Sequence, residues 1–253
     1  MHLLTRTITL KPQQLATHER NELAERLFTL HRRIFAGGNG ELFRRQLIDN
    51  GARDSTLLLQ QNRLGETIGY CALHLFEVEH QARTTGVVRI QAGLLPGYRR
   101  RNSLIPFTFG HILRHRLRHP LRPLYFLGAL IHPSSYALCA KYARIRPAPT
   151  APLAGDEADF LHCCVRHFNL NPVDPARPLI VHVGWRTRDD AFDRASWQQN
   201  PRPSVRFFLQ ENPGYSEGQG LVTMISLAPR TLAATAWRLA SDRLRRLAQR
   251  WAL

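Results

Sequence analysis

Lysine is nearly absent from this chain of 253 residues: Lys11 and Lys141 are the only two, and every other one of the 35 basic residues is arginine. A skew this strong most often reflects a GC-rich genome. It also sets the surface chemistry, because arginine grips phosphate and carboxylate through two parallel hydrogen bonds. Acidic residues are short as well, 19 in all, which leaves a net charge of +16. That surplus predicts attraction to an anionic partner: nucleic acid, an anionic membrane surface, an acidic carrier protein or a phosphorylated cofactor. The four cysteines, at 71, 139, 163 and 164, are too few and too irregularly spaced for a disulfide framework. His162, Cys163, Cys164 and His167 crowd together, yet zinc sites draw two ligands from each of two separated pairs, and no second pair is present; no metal is expected. No apolar run approaches the roughly 20 residues that a bilayer requires, so a transmembrane helix is excluded. Met1–Leu10 lacks the long apolar segment of a secretory signal, and a cytoplasmic location is expected. Apolar residues still make up 43% of the chain, enough for a sizeable core and too many for a disordered one.

What is present reads as helices interrupting a sheet. Leu3–Leu10 alternates as an opening strand that Lys11-Pro12 ends. Leu23, Leu27, Leu30 and Ile34 recur at helical spacing from a start at Thr17. Gly37-Gly38-Asn39-Gly40 breaks that helix, and Glu41–Ile48 forms a second. Ser55–Gln60 and Thr67–Glu79 make a hairpin across Asn62-Arg63, and Thr84–Leu95 is a further strand that stops at Pro96-Gly97. Ser103–His119 is helical, with Pro106 tolerated in its first turn. Leu121–Leu130 is a buried strand and Ser134–Tyr142 a short helix. Arg146–Gly155, rich in proline and alanine, divides a core of residues 1–146 from a C-terminal part, 147–253, with final strands, insertions and a terminal amphipathic helix. There, Asp156–Phe168 is read as helix, Leu179–Trp185, Val205–Gln210 and Gly220–Leu227 as strands, and Thr231–Trp251 as a helix with Leu232, Ala236, Ala240, Leu244, Leu247 and Trp251 on one side. The fold class is α/β of the α+β type: a mixed, mostly antiparallel central sheet with helices on both faces.

The segment that carries chemistry runs from Val87 to His119. A strand ends in Leu94-Leu95-Pro96-Gly97-Tyr98, three arginines and Asn102-Ser103 follow, and a helix begins. The unpaired N–H groups of a helix start bind anions, and Arg99, Arg100 and Arg101 just ahead of it strengthen a phosphate site, with Ser103 as N-cap. This segment and the element order around it resemble the GCN5-related N-acetyltransferase superfamily. In that superfamily a strand ending in a Pro-x-Tyr-Arg-like turn leads into a pyrophosphate loop of the form Arg/Gln-x-x-Gly-x-Gly/Ala. Arg99-Arg100-Arg101-Asn102-Ser103-Leu104 occupies that loop, with Asn102 and Leu104 where small residues are usual. The likeness covers roughly residues 3–146.

The resemblance implies acyl transfer from an acyl-CoA co-substrate, acetyl-CoA for instance, to an amine by direct attack. It implies that Leu94, Leu95, Arg99, Arg100, Arg101, Asn102 and Ser103 bind the coenzyme. It also implies a tyrosine that protonates the departing thiolate, and Tyr142 fits, seven residues after Ser135, with Tyr136 the competing residue. A base for the amine is implied on a central strand, and Glu77 is the choice over Glu79. An acidic acyl carrier protein is a second donor that the positive charge would suit. Two other classes fit the composition: a non-catalytic binding module of the same fold, and a basic nucleic-acid-binding protein, for which no recognition motif is present.

Overall fold

A computed structural model describes residues 4–101, 104–150 and 153–251. Strand β1 (Leu4–Leu10) leads to helix α1 (Thr17–Ile34), whose Glu19 carboxylate accepts the Ala16 N–H at 2.8 Å and closes the first turn. The leucine periodicity buries Leu23, Leu27, Leu30 and Ile34 on one side. Strand β2 (Phe35–Gly37) and helix α2 (Gly40–Leu47) follow, the latter capped by the Asn39 side chain, which accepts the Leu42 N–H at 2.7 Å. Strands β3 (Asp54–Asn62), β4 (Thr67–His80) and β5 (Arg83–Leu94) form an antiparallel meander. A 3-10 turn over Pro96–Arg101 leads to α3 (Leu104–Arg118), β6 (Leu124–Leu130) and α4 (Pro133–Tyr142). Then come β7 (Ile145–Arg146), α5 (Gly155–His167), β8 (Asn171–Pro172), β9 (Ile180–His182), β10 (Trp185–Thr187), α6 (Ala191–Gln198), α7 (Pro203–Glu211), β11 (Gln219–Ser226) and α8 (Pro229–Trp251).

The main sheet runs β1-β3-β4-β5-β6-β11-β9-β8, with β7 also against β11, and β2 pairs separately with β10. Among the described residues β5 and β6 are the one parallel pair. Residue parity along β4 sorts the two faces. Tyr70 and Ala72 pack under α1 and α2, and Phe76 and Val78 under α5. Leu73 and Leu75 point the other way, into a core shared with α3, α4, α7 and α8 through Ile112, Tyr136, Phe208 and Leu232. A strand covered on both faces reads as continuously apolar, which is why most of β4 is buried. The expected mixed sheet with helices on both faces is what the structure has. The C-terminal part is woven into it: β11 pairs with β6 from Leu221↔Leu130 to Ser226↔Tyr125.

Two expectations are corrected. Val205–Gln210 is not a strand but most of α7. Pro203 occupies the first turn, where its missing N–H has no intrahelical partner, and Val205 and Phe208 are buried at i, i+3 spacing. A short apolar run fits both periodicities, and here burial of the i, i+3 pair, with Phe208 against Tyr136, decides. The terminal helix is the second case: Leu232 is buried, but Leu244 of the expected apolar side is 66% exposed, and Trp237 is 75% exposed.

Two histidines sit in the core away from the sheet ends. His31 Nδ1 lies 2.7 Å from the Tyr70 hydroxyl, inside rings from Phe35, Phe43 and Trp185, and burial lowers its pKa to about 4. His74 Nδ1 lies 2.8 Å from Ser55 Oγ, and burial, helped by the Arg89 charge, lowers its pKa to about 3. Both are neutral in the folded chain, whereas the unfolded chain protonates them near 6.5. Stability is therefore full above pH 6.5 and falls as the pH drops toward 4. The urea midpoint should decline over that window, and less steeply in His31→Phe. A second expectation tests α7: Phe208→Ala should cost about 3–5 kcal/mol in urea unfolding, and half-buried Phe207 clearly less. The reverse order would restore the strand.

Candidate active site

Strands β5 and β6 pair over Gly86–Arg89 and Leu124–Leu127 and then part. Beyond that point β5 stays with β4 as far as Gly69↔Leu94, while β6 stays with β11 as far as Leu221↔Leu130. Backbone polarity in the gap follows from strand alternation. The Gly86 N–H donates to Pro123 O at 2.9 Å and the Leu95 N–H to Ile68 O at 3.0 Å. Even-numbered residues of β5 thus address β6 and odd ones address β4, and the N–H and C=O of Ala92 point into the gap. On β6, the Leu227 N–H donates to Leu124 O at 2.8 Å and the Thr223 hydroxyl to Gly128 O at 3.1 Å, so even residues face β11 and Ala129 faces the gap. Two open ladders confront each other across a wedge. An extended ligand carrying amides can satisfy both, as an added strand does. Because β5 and β6 are parallel, α3 and α4 both start at this end of the sheet, the arrangement that collects ligands at the carboxyl ends of strands.

The expected coenzyme contacts cluster at this end. Leu94 is the last residue of β5, and Leu95 O accepts the Tyr98 N–H at 2.9 Å to begin the turn. Arg99, Arg100 and Arg101 are described for their backbone, which forms the 3-10 turn, and Asn102 and Ser103 lie outside the described residues.

The two expected proton-transfer residues are each engaged by other side chains. Glu77 pairs in register with Gly86, at the end of β4 away from the gap, and its Oε1 takes bonds from both Arg53 and Arg122. Eight register steps separate it from the Gly69↔Leu94 pair, about 26 Å of strand at roughly 3.3 Å per residue. Glu77 does lie on a central strand, β4; the register that fixes which end it occupies is invisible in one sequence. Tyr142 closes α4, and its hydroxyl donates to Asp242 Oδ2 of α8 at 2.7 Å, beside the Lys141 ammonium. The rival Tyr136 is fully buried and donates to Pro147 O at 2.7 Å.

At the end of β6 stands a cluster that the sequence did not single out. His132 caps α4 and is 6% exposed. Its Nδ1 lies 2.6 Å from Ser134 Oγ and its Nε2 2.7 Å from Asp189 Oδ2. The rings of Trp197 and Tyr215 meet the imidazole edge-on at 5.4 and 6.0 Å. The one signal was a histidine directly before a proline-led helix; Asp189, 57 residues on, joins only through the fold. A separate cleft of about 380 Å³ opens between α1 and the β3–β4 turn, lined by Arg26, Thr29, Arg33, Gln61 and Thr67 among others. Among the described residues no group of three or more His, Cys, Asp or Glu could hold a metal ion, and no helix is long and apolar enough to cross a membrane.

The mixed sheet with parting parallel strands is the architecture that the resemblance to the GCN5-related N-acetyltransferase superfamily implies. No family model matches the chain, and no curated protein does. Among solved structures it is similar to Arabidopsis thaliana NAA60 in complex with acetyl-CoA, at 15% identity and a TM-score of 0.36 over 54% of this chain and 82% of that one. It is similar to the aminoglycoside 6'-N-acetyltransferase AAC(6')-Ih of Acinetobacter baumannii, at 12% identity and a TM-score of 0.31 over 67% and 93%. A conserved protein of unknown function from Enterococcus faecalis also matches, at 13% identity and a TM-score of 0.35; the chain covers 55% of itself there and about a third, 32%, of that protein.

The bond between Tyr142 and Asp242 predicts a coupled pair. In a double-mutant cycle with Tyr142→Phe and Asp242→Ala, urea unfolding should give a coupling of about 1.5–3 kcal/mol, the range for hydrogen bonds to a charged group. A coupling near zero would free the hydroxyl for another role.

Proposed function

We propose that this chain is an acyl-CoA-dependent N-acyltransferase. The observation that carries the reading is the gap between β5 and β6, with Ala92 and Ala129 presenting backbone groups to it from opposite sides. Pantetheine, the arm of coenzyme A, is an extended chain with two amides, and such a chain fills an open ladder. The thioester would then lie in the wedge. The pyrophosphate would lie on residues Arg99–Ser103, whose three arginines suit two-pronged phosphate contacts. Leu94 and Leu95 would wall the pantetheine.

An amine acceptor attacks the thioester carbonyl directly in this reading. The developing oxyanion is met by a strand N–H at the gap, of which Ala92 offers one. With Tyr142 engaged by Asp242, the thiolate leaves unassisted, which a thiol pKa of about 8.5 allows near neutral pH. With Glu77 held by two arginines at the far end of the sheet, the amine gives up its proton to water. The net charge of +16 suits an acidic carrier protein as donor as well as free acyl-CoA.

Calorimetric titration of the purified chain with coenzyme A tests this. Binding should weaken ten-fold or more in Arg99→Ala/Arg101→Ala, since charge-assisted bonds contribute about 1.5–3 kcal/mol each. Unchanged affinity in the folded double variant would remove the phosphate site. Absence of binding by the wild-type chain would leave the gap to a different ligand and the reading without its donor.

A further inference from the structure

Ser134, His132 and Asp189 stand in the order nucleophile, base and orienting carboxylate. Asp189 accepts at 2.7 Å from Nε2, which fixes the proton there and leaves the lone pair of the neutral ring on Nδ1. That lone pair faces Ser134 Oγ at 2.6 Å; the Ser134 N–H also approaches it, at the longer distance of 3.2 Å. The side chains of His132 and Asp189 are only 8% and 7% exposed, so the pair is shielded from water, while Ser134 is exposed and reachable. Ser134 also sits in the first turn of a ten-residue helix, whose positive end faces charge developing on an attacked carbonyl. A second feature marks the place as built for a ligand. The Tyr215 hydroxyl is buried without a hydrogen-bond partner among the described residues, on a residue 5% exposed, and its ring abuts His132. Burial, with the Asp189 carboxylate adding to it, holds that phenol above its ordinary pKa. A buried orphan donor beside a relay of this kind costs stability unless a ligand oxygen meets it.

We propose that Ser134–His132–Asp189 is a second catalytic centre, a serine esterase site acting on small uncharged acyl esters through an acyl-serine. Ser134 Oγ bonds to the acyl carbon while its proton passes to His132 Nδ1. The bond from that carbon to the alcohol oxygen breaks, and the alcohol takes the proton from Nδ1. Water then attacks the acyl-serine, giving its proton to Nδ1; Ser134 Oγ leaves and recovers that proton, and the carboxylic acid departs. The roles follow the general logic of a nucleophile, base and orienter held within hydrogen-bond reach. This activity is independent of coenzyme A, so its fate and that of the transferase reading are measured separately.

The test uses the full chain with a fluorophosphonate, which phosphonylates activated serines, followed by peptide mapping, and with p-nitrophenyl acetate. Wild type should take up one equivalent on Ser134 and release a burst of p-nitrophenol. Ser134→Ala should abolish both, with coenzyme A affinity unchanged. Asp189→Asn, which retains the packing, should slow labelling at least about 100-fold, as loss of an orienting carboxylate does. His132→Gln should abolish the burst while circular dichroism reports a folded chain. No label on Ser134 in folded wild type, or labelling of Asp189→Asn at the wild-type rate, would overturn the proposal.

Discussion

The rest of the site depends on competition for the two edges of one parallel strand pair. Between Gly86 and Arg89, β5 and β6 satisfy each other; past that point each keeps only the partner on its far side. The meander gives β5 a continuous antiparallel neighbour in β4, and β11 gives β6 another. Sheets twist, and two strands committed to different neighbours diverge as they lengthen. The wedge is therefore a by-product of good pairing elsewhere. Its unpaired backbone groups are tolerable because the gap reaches solvent: Ala92 is exposed.

That constraint explains why the C-terminal part is integral to the sheet. Without β11, nothing would hold Gly128–Leu130 of β6 away from β5, and the ladder could close. Thr223 reinforces the hold by donating its buried hydroxyl to Gly128 O. The residues beyond 146 also bring Asp189, Trp197 and Tyr215 to the end of β6. The proline- and alanine-rich stretch at Arg146–Gly155 accordingly connects two stretches of one sheet, and the core beneath α4 draws Phe208, Leu221 and Leu232 from its far side.

Much of the fold was legible in the sequence wherever one periodicity stood alone. The apolar 4-3-4 spacing of α1, the alternation of β1 and the strand of β5 that stops at Pro96-Gly97 were each read as the structure has them, and the element bounds agree to within a few residues. Val205–Gln210 failed because six apolar and polar residues satisfy both periods, and the answer lies in which residues the fold buries, Val205 and Phe208. The site was read at the turn after β5 from local chemistry, three arginines ahead of a helix start. It was not legible for Glu77, whose distance from the gap depends on strand register, nor for Tyr142, whose partner lies 100 residues away. His132 went unnoticed because its partner Asp189 is distant in the chain and nothing local announces it. Groups defined by long-range pairing carry no signature in a single sequence.

The scarcity of lysine has a chemical corollary. Both lysines are ion-paired, Lys11 with Asp54 at 2.7 Å and Lys141 with Asp242, and the second is held charged more firmly than an ordinary lysine by that carboxylate. An ammonium in such a bond has no lone pair with which to attack a thioester, and guanidinium groups are poorer nucleophiles still. Under the proposed acyl transfer, this composition leaves only two side-chain amines open to modification. The arginine-rich surface keeps the attraction for anions that lysine would give, without lysine's reactivity.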